Sequence, residues 1–331
     1  MRVTILGAGQ MGTAFGAPLL ERGHEVCFWG PEWLDGARLD ALAAGKPHPE
    51  LGARLSASPV ETSTELDEAV ERADVCALAV SSEGIGWVAE KVAVSVSEDI
   101  PVLVLTKGFA ERGGEVLPVA ARVREILGGE RPVIGVGGPV KASELIRKLP
   151  TQTVFASEDT ECGEKLASAF GTSYYLPEIT GDLVGTSLCA ALKNCYAIAV
   201  NLLAGEVESA NLRSLAFSAA LREIFLFVAA AGGLPETVAG AAGSGDLYVT
   251  CLTGRNGDFG RLLGEGNSPE EARGIMEGAT VEGLGTLPLA LGLARSLGLG
   301  EKLPLLSYLD EVLRVGGTEK VRLPLERIVS G

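Results

Sequence analysis

Lys193 is the only charged residue between Leu183 and Gly205, a stretch of apolar and small residues whose main polar interruptions are Thr186, Ser187, Asn194 and Asn201. On a helix its neighbours three and four positions away are Cys189, Ala190, Tyr196 and Ala197, so no local carboxylate can pair with it. A lysine in that setting draws a partner from elsewhere in the chain, lines a cleft, or snorkels out at a helix flank. Burial disfavours the charged form of an amine, which suits a group that gives and takes protons near neutrality. The chain has only two histidines, His24 and His48, and His24 sits in a turn before a strand, where a general base is hard to place. Lysine is therefore the better acid–base candidate.

Three other segments carry groups of the same kind. Lys107 follows the apolar run "IPVLVLT" and precedes a glycine, which places it at the carboxyl end of a strand, where open α/β sheets bind ligands. "GVGGPVKASE", 135–144, follows the next strand, and its Gly138-Pro139 turn brings backbone close to that crevice. "GSGDLYVTCLTGRNGDFG", 243–260, carries Asp246, then Thr250, then Arg255 and Asn256. A carboxylate can orient a lysine, and a guanidinium fork beside a threonine hydroxyl matches two oxygens of a phosphate. Each has a plain alternative: an exposed loop lysine, a turn-forming aspartate, a surface Arg-Asn loop.

These groups need elements to hold them. "GAGQMG", residues 7–12, has the G-x-G-x-x-G spacing, follows an apolar strand and opens a helical pattern over Thr13–Leu20. In that context Gly7 permits a tight turn, Gly9 lets a pyrophosphate approach the backbone of Gln10 and Met11 at the helix N-terminus, and Gly12 permits close packing of helix on strand. Adenosine-ribose recognition falls at the end of the second strand, "FWGPEW", where Glu32 can accept bonds from the ribose hydroxyls. No basic residue stands there for a 2′-phosphate until Arg38. NAD is favoured over NADP, with a solvated Glu32 as the alternative. Strands are expected at 2–6, 25–29, 74–80, 100–105, 132–136, 152–156 and 173–176, alternating with helical patterns. From Asp182 onward the pattern is helical, at 183–204, 211–231, 259–265, 269–276, 283–297 and 303–315, with glycine-rich joints. The expected fold is an α/β N-terminal Rossmann-type doubly wound, mainly parallel sheet over residues 1–180, followed by an all-α C-terminal domain over 181–331.

Bulk composition narrows the function. At 331 residues with 47% hydrophobic and 21% charged residues, the chain can build a sizeable core. A net charge of −15 argues against nucleic-acid binding and against an anionic membrane surface, so an anionic ligand would need a local concentration of cations. The six cysteines form no CxxC pair, which predicts free thiols in a reducing cytoplasm and no metal site. The N-terminus reads directly as a strand, so no signal peptide is expected. The 183–205 run, with a central lysine and two asparagines, reads as a buried helix and not a membrane span.

"GAGQMGTA", "TKG", "GGP…ASE", "LKN", "GDL…T…GRN" and "VEG" occur in this order over almost the whole chain. Together they resemble the NAD(P)-dependent sn-glycerol-3-phosphate dehydrogenase family, and the adjacent Lys-Asn is the most specific sign. The resemblance implies interconversion of dihydroxyacetone phosphate and glycerol 3-phosphate, a supply of glycerol phosphate for lipid synthesis, and a homodimer. It makes Lys193 the general acid/base, Asp246 the carboxylate beside it, and Asn194 a group that bonds substrate. Lys107 would touch both substrate and cofactor, with Gly138 and Ala142 of "GGPVKA" in the same crevice. Thr250, Arg255 and Asn256 would clamp the phosphate, and Arg255 and Glu282 of "VEG" would lie near the cofactor. The chain departs from the family pattern at Val140, Ala219 and Gly254, where a hydroxyl, an arginine and a serine are usual, and lacks a second-strand arginine. A hydroxyacid dehydrogenase of the wider 6-phosphogluconate/3-hydroxyacid dehydrogenase superfamily and a non-catalytic dinucleotide-binding regulator remain open alternatives at this stage.

Overall fold

The computed structural model describes residues 1–207, 209–317, 323 and 325–330. The chain divides into two compact units, 1–110 with 117–187, and 111–116 with 188–331.

The first unit holds an eight-stranded sheet. Its strands are β1 (Arg2–Leu6), β2 (Glu25–Trp29), β3 (Glu61–Ser63), β4 (Val75–Leu78), β5 (Val102–Val104), β8 (Val133–Gly137), β9 (Thr151–Ala156) and β10 (Tyr175–Thr180). A separate hairpin pairs β6 (Phe109–Arg112) with β7 (Glu115–Pro118), and its residues 111–116 belong to the second unit. Order across the sheet is β10-β9-β8-β5-β4-β1-β2-β3. All pairings are parallel except β8 with β9. The helices of this unit are α1 (Gln10–Glu21), α2 (Glu32–Ala43), α3 (Leu66–Val70), α4 (Ile85–Ser95), α5 (Val119–Leu127), α6 (Ala142–Leu145) and α7 (Thr160–Phe170).

Burial on both faces explains the apolar strands. Alternate residues Val3, Ile5, Val26, Phe28, Val75 and Ala77 pack with Phe15 and Leu19 of α1 and Phe170 of α7. Their neighbours Leu6, Cys27, Trp29, Cys76 and Leu78 pack with Val88 and Val92 of α4 and Val123 of α5 on the opposite face. The sequence reading places seven of the eight sheet strands within a few residues. It misses β3, whose Glu-Thr-Ser has no apolar pattern: Arg2 anchors this edge by donating two bonds of 2.6 Å each to Glu61. It also misses the hairpin, whose signal was Gly113-Gly114 at φ 61° and 85°, the geometry of a two-residue turn.

The second unit is helical, and among the described residues no strand lies beyond Thr180. It contains most of α8 (Leu183–Gly205), then α9 (Ala210–Ala230), α10 (Pro235–Ala239), a π-helical turn at Ala241–Gly245 and α11 (Asp246–Leu252). After these come α12 (Arg255–Gly264), α13 (Pro269–Ile275), α14 (Glu282–Ser296), α15 (Pro304–Val315) and α16 (Leu325–Ser330). Helix α8 is long and apolar enough to cross a membrane, yet 89% of its most apolar window is buried inside the protein. Glycines let two helices touch it: a Cβ on Gly260 of α12 would lie 2.3 Å from the Ile198 carbonyl oxygen, and one on Gly283 of α14 would lie 2.5 Å from that of Asn194.

A fully buried glutamate ties three helices of this unit together. Glu223 of α9 accepts bonds from the Tyr196 hydroxyl of α8 at 2.9 Å and from the first-turn amides Leu305 and Leu306 of α15 at 2.6 and 3.1 Å. Burial pushes its carboxyl up to about 7, against the pull of those donors. Because the folded value lies above the unfolded one, the fold favours the protonated form. The resulting stability is fully present below about pH 4.5 and is lost as pH rises through about 7, a swing of about 3 kcal/mol. Comparing unfolding free energies of wild type and Glu223→Gln from pH 5 to 8.5 tests this. Wild type is expected to lose stability relative to the variant as pH rises, and parallel profiles would remove Glu223 from the pH response.

Candidate active site

Helix α8 presents Lys193 at the edge of its buried surface. The Lys193 ammonium donates to Asp246 Oδ1 at 2.5 Å, with side-chain exposures of 13% and 2%. The aspartate comes from 53 residues away and supplies the partner that the local helix lacks. Its position follows from backbone: the π-helical turn Ala241–Gly245 runs directly into α11, of which Asp246 is the first residue. A carboxylate there faces the positive end of the helix. Thr250 donates its hydroxyl to the Asp246 carbonyl at 2.7 Å, so it braces this turn of α11.

Beside the lysine, Asn194 enters a second network. Its amide oxygen accepts from Asn256 at 3.0 Å, and its amide nitrogen donates to Glu282 at 3.2 Å. Asn256 is itself oriented by the Gly283 backbone amide, which donates to its oxygen at 2.9 Å. Arg255 donates to the other Glu282 oxygen at 3.5 Å, and both side chains are about half exposed. Lys193, Asn194, Asp246, Thr250, Arg255, Asn256 and Glu282 thus fall in one unit, linked by direct bonds between α8, α11, α12 and α14. Paired amides and carboxylates fix the asparagines and the lysine, while most guanidinium donors of Arg255 are left for an anion. That arrangement can protonate an oxygen next to a phosphate-bearing carbon.

The remaining predicted site residues lie in the sheet unit. Lys107, at the end of β5, donates to the Gly138 carbonyl at 2.9 Å. Gly138 takes φ 91° in the turn after β8, and Thr153 secures the preceding carbonyl of Gly137 at 2.9 Å. Val140 and Ala142 of the following segment pack on the core, so Val140 supplies an apolar contact where relatives of the pattern carry a hydroxyl. Ala219, where an arginine was expected, is buried in α9.

The glycine loop fits a dinucleotide. A Cβ on Gly7 would lie 2.6 Å from the Ala79 carbonyl oxygen, and one on Gly12 would lie 2.4 Å from that of Gly7. Nothing lies within 4 Å of such an atom on Gly9, so backbone at that point is open to a ligand. The first-turn amides of α1, including Gln10 and Met11, have no carbonyl partner within the helix and point toward that opening. The loop sits where strand order reverses between β1 and β4, the crevice in which such sheets bind ligands.

Two residues around this loop escaped the sequence reading. His48 is buried and donates from Nε2 to the Ala8 carbonyl at 2.9 Å, while its Nδ1 accepts from the Glu50 and Leu51 amides at 3.3 and 3.4 Å. It braces the glycine loop from a segment forty residues on. Asp35 is buried against Gly30 at the end of β2 and binds Arg38 at 2.7 Å. Arg38 also binds Glu50 at 2.5 and 2.8 Å, which holds Glu50 below the usual carboxylate range. Glu32 is exposed in the first turn of α2. The His48–Ala8 and Arg38–Glu50 contacts had no local sequence signal, since each joins segments separated by loops, whereas Asp35–Arg38 is an i,i+3 pair within α2. Among the described residues no cluster of His, Cys, Asp or Glu could hold a metal ion.

Known proteins are similar to this chain in sequence and in fold. Residues 2–163 match the model for the N-terminus of NAD-dependent glycerol-3-phosphate dehydrogenase, and residues 182–321 match the model for its C-terminus. The chain is 34% identical over 324 residues to the NADP(+)-dependent glycerol-3-phosphate dehydrogenase of Archaeoglobus fulgidus, covering 95% of each. It is 33% identical over 300 residues to the glycerol-3-phosphate dehydrogenase [NAD(P)+] of Protochlamydia amoebophila, covering 89% of this chain and 88% of that one. The crystal structure of glycerol-3-phosphate dehydrogenase from Coxiella burnetii superposes with a TM-score of 0.82 at 26% identity, covering 99% of this chain and 98% of the other. Matched by both family models and by these relatives over most of its length, the chain belongs to the NAD(P)-dependent glycerol-3-phosphate dehydrogenase family.

Proposed function

We propose that this protein interconverts dihydroxyacetone phosphate and sn-glycerol 3-phosphate, with Lys193 as the group that moves the proton. The observation that carries this reading is the buried Lys193–Asp246 pair, set beside Asn194 and its links to Arg255 through Glu282. When bound, the nicotinamide supplies or accepts the hydride at C2. Lys193 delivers a proton to the carbonyl oxygen in the direction of reduction and removes it in the reverse. Asp246 holds the amine in place and compensates its charge in a largely buried setting. Asn194, fixed by Asn256 and Glu282, retains one amide hydrogen for a substrate oxygen. Arg255, with Asn256 and Thr250 nearby in sequence, meets the phosphate. Lys107 serves both substrate and cofactor, Gly138 the substrate and Ala142 the cofactor.

Residues 1–180 hold the dinucleotide and 181–331 carry substrate and catalytic groups. NAD is the favoured cofactor, because Arg38 already binds two carboxylates and Glu32 is exposed in the first turn of α2, just after β2. NADP is the second reading, favoured by the cofactor named for the Archaeoglobus relative. Placement in the cytoplasm, a homodimer and a role in supplying glycerol phosphate for lipid synthesis complete the proposal. Its support there is the family membership and the six free cysteines.

Three measurements test these assignments. Lys193→Met is expected to lower kcat on the order of 10²–10⁴-fold while dinucleotide binding survives. Wild-type turnover in that folded variant would remove Lys193 from the chemistry. Arg255→Ala is expected to lower kcat/KM for dihydroxyacetone phosphate at least about tenfold, since a charge-assisted bond contributes roughly 1.5–3 kcal/mol. The same variant should act on unphosphorylated dihydroxyacetone nearly as wild type does, and an equal loss on both ketones would assign Arg255 to cofactor or fold. For Glu32→Ala, NADH binding is expected to weaken and discrimination against NADPH to shrink. A wild-type preference for NADPH would overturn the role given to Glu32.

A further inference from the structure

Trp87, on the first turn of α4, is a large aromatic side chain left 53% exposed. Its inner face lies on Trp29, with ring centroids 6.0 Å apart and planes inclined by 28°. Trp29 is the last residue of β2 and is fixed from behind, since its indole N–H donates to the Thr64 carbonyl at 3.0 Å. The Trp87 ring is therefore held rigid on one face and open on the other.

Trp29 pairs with Leu6, the residue immediately before Gly7, so the stack lies one strand away from the pyrophosphate position, about 5 Å across the sheet. A dinucleotide anchored at α1 runs its adenosine half across the end of β2. Trp29 faces the side of the sheet on which α4 packs, together with Leu6 and Cys27. A base that crosses β2 toward that side meets the open face of Trp87. A purine presents a flat π surface to such a ring, and a rigid partner loses little freedom on binding it.

We propose that Trp87, braced by Trp29, is the stacking platform for the adenine of the dinucleotide. The proposal rests on the reading of residues 7–12 as the pyrophosphate loop and adds the residue that holds the base. The rival platform is Trp33 on α2, which is 84% exposed and makes no ring contact among the described residues.

Calorimetric titration of the full-length protein with NADH, AMP and reduced nicotinamide mononucleotide separates the possibilities. Trp87→Ala is expected to raise Kd for NADH and AMP by roughly 5- to 150-fold, the cost of losing one base–aromatic stack. Binding of the mononucleotide, which lacks adenine, should stay within twofold of wild type. Trp87→Phe should restore most of the affinity, and AMP should quench wild-type and Trp33→Ala fluorescence but not that of Trp87→Ala. Equal weakening of NADH and mononucleotide would give Trp87 a purely structural role and overturn the proposal. So would unchanged NADH binding in Trp87→Ala, or a loss that appears in Trp33→Ala instead. Absence of binding of both NADH and NADPH to the wild-type protein would overturn the dinucleotide reading itself, and the platform with it.

Discussion

Helix α8 is touched backbone to backbone by two other helices, and the arrangement of the candidate site depends on that contact. Gly283 brings the start of α14 against the Asn194 carbonyl, which puts Glu282 within reach of the Asn194 amide and aims the Gly283 N–H at Asn256. Gly260 seats α12 on α8 near Ile198, so the first turn of α12 delivers Arg255 and Asn256 to the same end of the helix. Any side chain at these two positions would push the helices apart by more than the reach of the hydrogen bonds they support. Small residues in α8 and its partners thus serve geometry as much as packing.

Close packing creates an electrostatic demand that the same packing meets. A lysine amine drawn into a largely apolar helix surface loses most of its hydration, and an unpaired buried charge is costly. Asp246 answers it, and the π-helical turn before α11 decides where that carboxylate stands. The asparagine network is satisfied in the same manner, with every amide group partnered by another helix. Such networks hold donors in fixed directions before substrate arrives, which is what transition-state stabilisation by fixed dipoles requires.

The sheet unit applies a different constraint to its ligand. Backbone, and not side chains, shapes the glycine loop, because Gly7 and Gly12 are pressed against carbonyls that a Cβ would strike. His48 braces that loop through Ala8 and Arg38 is bound by two acidic partners. At this loop the N-terminal amides of α1 supply a positive field without added basic residues, in a chain with net charge −15.

By itself the sequence determined the period and order of the elements, because burial of both sheet faces leaves continuous apolar strands and burial of α8 leaves a lone charge visible. It also determined which residues could do chemistry: Lys193 stood out through its isolation, and Gly7, Gly9 and Gly12 through their fixed spacing after a strand. It could not show β3, which is held by an arginine from β1 instead of an apolar pattern. Tertiary structure alone decided the partners. The pairing of Lys193 with Asp246, the bridging of Asn194 by Asn256 and Glu282, the place of His48 under the glycine loop and the stacking of Trp87 on Trp29 all join segments far apart in the chain. Hydrogen bonds and ring contacts act over a few ångströms in space, whereas periodicity reports only on neighbours a few residues apart, so such contacts exist only once the helices and strands have packed.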